Sequence, residues 1–294
     1  MPLQEVMQGM GHVVNAPPAY LALHRSGELS RRAIALRRRM AACDLCAREC
    51  GANRAERRGE CGIGWRARVE SYHPHFGEEA VLSGRDGSGT IFFSGCNLHC
   101  VFCQNWEISQ APAGREVTPA ELASIMLDLQ ARGCHNINLV SPSHVVADFI
   151  EALDLAAGDG LRLPLVYNTG GFDNPSTLAL LDGIIDIYMP DMKYSDPALA
   201  EQLSRASDYP RRNRQAVRAM YSQVGDLVLN DAGVAVRGLL VRHLVLPGGQ
   251  VGPREIMRFL AAEISPLTAV NLMDQYRPMY RAREHPPLDR PLAA

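Results

Sequence analysis

Residues 90–103 read TIFFSGCNLHCVFC, an apolar run that ends at a glycine and passes directly into three cysteines. The first six residues are β-branched, aromatic and small. They follow the glycine-rich turn SGRDGSG (83–89), which predicts a short buried strand. Downstream, apolar runs alternate with helical stripes. Thr118-Pro119 opens a helix, with Glu121 completing a capping box, and Leu122, Ile125, Met126 and Leu129 form its inner stripe. Gly133 ends it. Strands are predicted at 137–140, 163–168, 184–189, 239–248 and 268–273. Between them lie a helix bearing Val146, Phe149, Ile150 and Leu153, a short one after Asn174-Pro175, two from about Asp196 and Arg211, and one over 253–263. A small hairpin is predicted at 226–238, around Asp231-Ala232-Gly233. Six strands alternating with helices predict an α/β fold of parallel units with right-handed crossovers, whose chemistry sits just after each strand.

The first 85 residues are expected to be loop-rich, with an Arg-rich helix from Ser30 to about Ala42 and a breaker at Ala16-Pro17-Pro18. The expected division is an N-terminal extension at 1–85, a core at 86–285 and a tail at 286–294.

The composition is that of an ordinary globular chain: 294 residues, 47% hydrophobic, 21% charged, net charge −2. A disordered or collagen-like chain is excluded, and the near-neutral balance argues against a general nucleic-acid binder. Of 30 basic residues only Lys193 is lysine; the rest are arginine. Residues 25–68 hold twelve Arg against five acids, read as a solvated helical face, with docking to an acidic partner as the functional alternative. The N-terminus MPLQEVMQGM lacks the pattern of a signal peptide, and no apolar run approaches a membrane span. A cytoplasmic location is expected, where clustered cysteines serve as metal ligands or redox groups rather than disulfides.

Cys96, Cys100 and Cys103 lie on a loop after a strand, so three thiolates can face one point. Three ligands leave open the fourth position of a tetrahedral zinc site or the fourth iron of a [4Fe–4S] cluster. Cys43, Cys46, Cys50 and Cys61 have the spacing C-x2-C-x3-C-x10-C, a closed set suited to zinc or a second [4Fe–4S] cluster. Cys134 reads as a buried apolar residue. His73 and His75 are read either as ligands or as loop packing. Strand alternation points Arg242 or His243 inward.

The CxxxCxxC spacing, with Phe102 before the last cysteine and a strand before the first, resembles the radical S-adenosylmethionine (SAM) superfamily. The resemblance implies a partial (βα)6 barrel. It implies a [4Fe–4S] cluster on Cys96, Cys100 and Cys103, SAM bound to its fourth iron, and Phe102 near the adenine. Reductive cleavage would give a 5′-deoxyadenosyl radical, with a flavodoxin or ferredoxin as electron donor. YNTGGF (167–172), MPDMKY (189–194) and LVRHLVLPGG (240–249) resemble strand ends of glycyl-radical-enzyme activating enzymes such as the pyruvate formate-lyase activase. This implies contacts to SAM from Asn168 at the ribose and from Asp191 and Lys193 at the charged end, and a protein substrate. The fullest resemblance, over roughly 43–285, is to the uncharacterised iron–sulfur homologues of that activase.

The sequence departs from the activase pattern at three places. The usual Gly-Gly-Glu after the second strand is replaced by Ser141-Pro142-Ser143-His144, of which Ser143 offers a polar contact and His144 reads either as another or as a solvent-facing helix start. Asn168 stands where an acid is usual, and Tyr276 stands where some activases place an adenine-contacting histidine. The expected function is activase-like hydrogen abstraction. The alternatives are the same chemistry on a small molecule or peptide, and a zinc-stabilised, non-catalytic binding protein.

Overall fold

A computed structural model describes residues 17–292 except 112 and 250. The stretch 1–10, read above for a targeting signal, and Ala16 of the breaker lie outside the described residues.

The strands are β1 (Arg68–His75), β2 (Ser88–Phe93), β3 (Arg115–Glu116), β4 (Ile137–Val140), β5 (Leu165–Thr169), β6 (Ile187–Pro190), β7 (Val228–Leu229), β8 (Ala235–Leu244) and β9 (Ala269–Met273). The helices are α1 (Tyr20–Arg25), α2 (Glu28–Arg39), α3 (Ala80–Ser83), α4 (Trp106–Ser109), α5 (Pro119–Ala131), α6 (Val146–Gly158), α7 (Pro175–Leu180), α8 (Pro197–Ser204), α9 (Tyr209–Val224) and α10 (Pro253–Phe259). The six predicted core strands correspond to β2, β4, β5, β6, β8 and β9, and each pairs in parallel with the next. The fold is therefore a mixed α/β structure with a parallel-rich sheet, consistent with a partial barrel.

Local chemistry sets the helix starts. Thr118 accepts from the Glu121 amide while the Glu121 carboxylate accepts from the Thr118 amide, the expected reciprocal box. Asn174 and Asp196 cap α7 and α8 through their side chains.

Alternation along the strands sorts two cores. Tyr167, Tyr188, Leu239 and Val241 pack outward under the helices, with Phe149 and Ile150 of α6. Val166, Ile187, Met189 and Leu240 point inward and close on Leu82 of α3, which plugs the barrel interior. Two residues further along each strand the inward positions turn polar: Asn168, Asp191, Arg242 and Asn271.

The structure corrects several expectations. Residues 68–75, read as loop, form β1, which runs antiparallel to β2, with β3 beyond it. The strand escapes a sequence reading because it is polar and carries Pro74, which an edge-side strand tolerates. The hairpin's second arm and the predicted strand at 239–248 are one ten-residue strand, β8. It pairs in turn with β7, β6 and β9. The helix expected at Arg211 starts at Tyr209, and the one over 253–263 becomes a π turn after Phe259. Residues 17–85 are not loop-rich throughout, because Leu29, Leu36 and Met40 share one apolar core with Phe149 and Leu153. The segment read as tail is docked: Leu288 is buried, and its carbonyl accepts from Tyr276 Oη at 2.7 Å. No helix among the described residues is long and apolar enough to cross a membrane.

Candidate functional site

The parallel strands end around a cavity of about 520 Å³. Its upper wall is the loop after β2. Gly95 lets that loop turn: its φ is +79°, and a Cβ there would lie 2.4 Å from the Cys61 carbonyl oxygen. The chain then presents Cys96, Cys100 and Cys103, all three of which line the cavity. Ser204 donates to Cys100 Sγ (3.0 Å), and the Ser109 hydroxyl lies 3.1 Å from Cys103 Sγ. Burial first, then the neighbouring thiols, pushes the Cys96 thiol up to about 12. Cys100 is raised in the same way, by burial and by Cys103 against the pull of Lys193. As they stand, no three His, Cys, Asp or Glu side chains among the described residues are gathered to hold a metal ion. The donor set itself suits an iron–sulfur cluster. It consists of three thiols beside a lysine whose charge favours thiolate, and the one imidazole between them, His99, is turned to Gln110 Oε1 at 3.3 Å.

A second wall is formed just after β6. Lys193 Nζ donates to Asp191 Oδ2 at 2.5 Å, and Arg242 Nε donates to Asp191 Oδ1 at 3.0 Å. Burial alone would raise Asp191, but these two cations hold it below the ordinary carboxylate range. Lys193, which burial alone would lower, is held above its ordinary value mainly by Asp191. Both therefore remain charged. Arg242 also donates to Asn168 Oδ1 at 2.7 Å, so β5, β6 and β8 are tied together across the cavity.

Buried side chains of α9 fix this wall from behind. Asn213 Nδ2 donates to the carbonyls of Gly171 (3.0 Å) and Asp191 (2.9 Å). Tyr209 Oη accepts from the Lys193 amide at 3.0 Å and lies within hydrogen-bond distance of the Gly170 and Asp191 carbonyls.

Not every expected contact faces the cavity. Ser143 is buried, its hydroxyl 3.0 Å from Thr169 Oγ1, and it is not part of the lining. Ser141, two residues earlier, lines the cavity instead. His144 does not meet solvent: it is fully buried, with Nε2 2.9 Å from the Ser94 carbonyl. Phe102 lines the cavity, whereas Tyr276 packs edge-on behind it at 6.4 Å and turns its hydroxyl away to Leu288. Between Arg242 and His243 the alternation resolves plainly. Arg242 faces the cavity, and His243 faces outward, buried, with Nδ1 2.6 Å from the Met192 carbonyl. His75 reaches the lining, while His73 stacks on Phe92 at 5.5 Å. Cys134 is buried as expected.

Cys43, Cys46, Cys50 and Cys61 are neighbours beside the Cys96 loop, without three of their sulfurs meeting at one point. A Cβ built on Gly59 would lie 3.4 Å from both the Cys50 and Cys61 sulfurs. Burial raises the Cys46 and Cys61 thiols, and neighbouring thiols of the set add to it. Arg54 is 2% exposed, with Nη1 4.0 Å from Cys43 Sγ and 2.6 Å from the His144 carbonyl, while Nη2 has no partner. A buried guanidinium with an orphaned donor beside these thiols suits an anionic four-thiolate centre, while the buried Asp148 carboxylate also feels its charge. The module joins the barrel through Ala47 N to the Phe172 carbonyl (3.3 Å) and Arg48 Nε to the Asn97 carbonyl (2.7 Å). It thus buttresses the cysteine loop from outside and contributes no residue to the cavity lining.

Two residues that the sequence reading did not single out, Glu78 and Glu79, line the cavity floor. Their signal was present, two adjacent acids ahead of an apolar run, but without β1 nothing placed them inside the barrel.

Residues 90–226 match the radical SAM superfamily. The uncharacterized protein MJ0674 of Methanocaldococcus jannaschii is 32% identical over 267 residues, an overlap spanning 85% of this chain and 70% of that protein.

Proposed function

This chain belongs to the radical SAM superfamily, and on that premise we propose that it is an enzyme abstracting hydrogen from an organic substrate held in the cavity between the Cys96 loop and the end of β6. The superfamily implies a [4Fe–4S] cluster and SAM; when bound, they supply one-electron cleavage of SAM to methionine and a 5′-deoxyadenosyl radical. The chain's own residues supply the rest. Cys96, Cys100 and Cys103 would hold the cluster. Lys193 and Asp191 present a fixed cation and anion to the two charged groups of an amino-acid moiety. Phe102 offers an aromatic face, and Asn168 a neutral acceptor already engaged by Arg242. The carrying observation is that the three thiols and the Lys193–Asp191 pair line one cavity at the strand ends, with the lysine charge acting on the Cys96 and Cys100 thiols.

Activation of a glycyl radical enzyme is the finer reading suggested by the strand-end motifs. The cavity floor favours a small molecule instead. Glu78, Glu79 and Arg242 are charged groups that a bare glycine loop would leave unmatched. Cys43, Cys46, Cys50 and Cys61 would hold an auxiliary centre. As an iron–sulfur cluster it would add an electron-transfer station, and as zinc a structural crosslink. Reduction through a flavodoxin or ferredoxin fits this chemistry, and the exposed arginines of the N-terminal stretch, Arg25, Arg31, Arg38, Arg57 and Arg58, offer such an acidic carrier complementary charge.

The test is anaerobic reconstitution with iron and sulfide, followed by reductant and SAM. Release of 5′-deoxyadenosine by the native chain and its loss in Cys96→Ala support the reading. A colourless, zinc-loaded protein that releases none rejects it.

A further inference from the structure

The connection between β1 and β2 enters the open side of the barrel. Glu79 Oε1 accepts from Asn271 Nδ2 of β9 at 2.9 Å, and α3 continues inward as the plug. Glu78 and Glu79 are thereby held on the cavity floor with only 10% and 11% of their side chains exposed.

Charge does not balance there. The carboxylates are Glu78, Glu79 and Asp191; the cations are Lys193 and Arg242. Lys193 is committed to Asp191 at 2.5 Å. Arg242 is committed first to Asp191 at 3.0 Å, and stands 3.7 Å from Glu78 and 3.9 Å from Glu79 with no hydrogen bond to either. One guanidinium is thus shared among three carboxylates, which leaves the glutamate pair in excess of positive charge to meet it. Burial, with Glu79 beside it, accordingly pushes the Glu78 carboxyl up to about 7 despite Arg242.

A second observation concerns unpartnered acceptors. Asn138 of β4 is fully buried on the same strand face as the cavity-lining Val140; its side chain lies against the Glu78 carboxyl and favours the ionised form, and its Oδ1 makes no hydrogen bond. Glu79 Oε2 is likewise buried and unpartnered. Buried polar atoms are nearly always satisfied, so this floor has the character of a recognition surface awaiting donors. A metal ion is the poorer occupant, because the Arg242 guanidinium already stands beside both carboxylates.

We propose that the floor formed by Glu78 and Glu79, backed by Asn138, binds a cationic nitrogen of the substrate, a primary ammonium or a guanidinium, and so selects an amine-bearing small molecule. This rests on the radical-enzyme reading for the identity of the bound molecule as substrate, but the binding itself does not require turnover.

The experiment is calorimetric titration of the full-length reconstituted protein at pH 8 with n-butylammonium, n-butylguanidinium and the neutral 1-pentanol. At least one cation is expected to saturate, with 1-pentanol at least tenfold weaker. Glu79→Gln and Glu78→Gln, checked for folding by circular dichroism, should each weaken the cation at least tenfold; two variants guard against failure of one to fold. A further arm uses Nα-acetyl-lysine N-methylamide: binding no tighter than n-butylammonium supports a free small molecule, and tighter binding by tenfold assigns the nitrogen to a peptide side chain and overturns the small-molecule choice. Equal binding of 1-pentanol and the cations, or unchanged binding in the glutamine variants, overturns the proposal. Release of 5′-deoxyadenosine from the same preparation is scored separately, so failure of cation binding and failure of the radical chemistry are told apart.

Discussion

Lys193 Nζ stands 2.5 Å from Asp191 Oδ2, two residues away on the same inward face, with both main-chain segments pinned by Tyr209 and Asn213 of α9. The chain's single lysine is thus fixed at the cavity wall in a setting where Arg242 already occupies the other Asp191 oxygen. A slim ammonium fits beside that guanidinium; a second planar fork would compete with it for the same carboxylate.

Lys193→Arg, a mild exchange at an exposed position, is therefore expected to lower 5′-deoxyadenosine formation by at least tenfold, with the iron content unchanged. Initial rates over a range of SAM concentration measure it. A rate equal to the native one would remove Lys193 from the site.

Gly171 follows the same strand-end logic. Its φ is +74°, and a Cβ would fall 2.2 Å from both Asn213 Nδ2 and the Asp191 carbonyl oxygen. Gly171→Ala is expected to cost about 2 kcal/mol or more, through backbone strain and displacement of buried hydrogen bonds. Urea unfolding measures the loss, and SAM cleavage should fall with it because Asp191 is moved.

His144 makes stability depend on pH. Burial first, and the Arg54 charge as well, lowers its pKa to about 4 although the Ser94 carbonyl opposes this. Above about 6.5 the imidazole is neutral in both folded and unfolded chains. As pH falls through that value, protons bind the unfolded chain first, so stability declines until the folded histidine also titrates. The slope from this one group approaches about 1.4 kcal/mol per pH unit. Denaturant midpoints at pH 7.5, 6 and 5 should fall progressively in the native protein and less steeply in His144→Gln. Parallel curves would show that another group governs the acid limb.

The Cys61 carbonyl packs where Gly95 admits it, so the auxiliary module braces the Cys96 loop while each centre depends on its own cysteines. Cys61→Ala should lose the metal of one centre, leave Arg54 buried with Asp148 as its remaining anionic neighbour, and lower Tm by several degrees. Cys96→Ala should lose only the other centre. Metal analysis with thermal melts distinguishes them, and Cys61→Ala with full metal content would exclude a four-thiolate site.

Much of this was legible in the residues. The capping box at Thr118–Glu121, the stripe on α5 and the run of apolar strands needed only local rules, because each depends on residues a few positions apart. The cysteine loop was legible for the same reason. Asp191 and Lys193 were placed by the resemblance of MPDMKY to activase strand ends, and their separation of two residues is compatible with one face. The failures were non-local. Ser143 and Tyr276 carry suitable chemistry but face the packing behind the cavity, and the strand β1 is held by β2 and β3 rather than by its own apolar pattern.

The sequence by itself determined the parallel α/β architecture and the three thiols after its first core strand, since strand periodicity and ligand spacing are properties of contiguous chain. Only the tertiary structure decided that Glu78 and Glu79 lie inside the barrel, that one Arg242 serves three carboxylates, and that the four N-terminal cysteines support the Cys96 loop from outside. Charge balance and burial arise from groups far apart in the chain that folding brings within a few ångströms, and no local pattern encodes them.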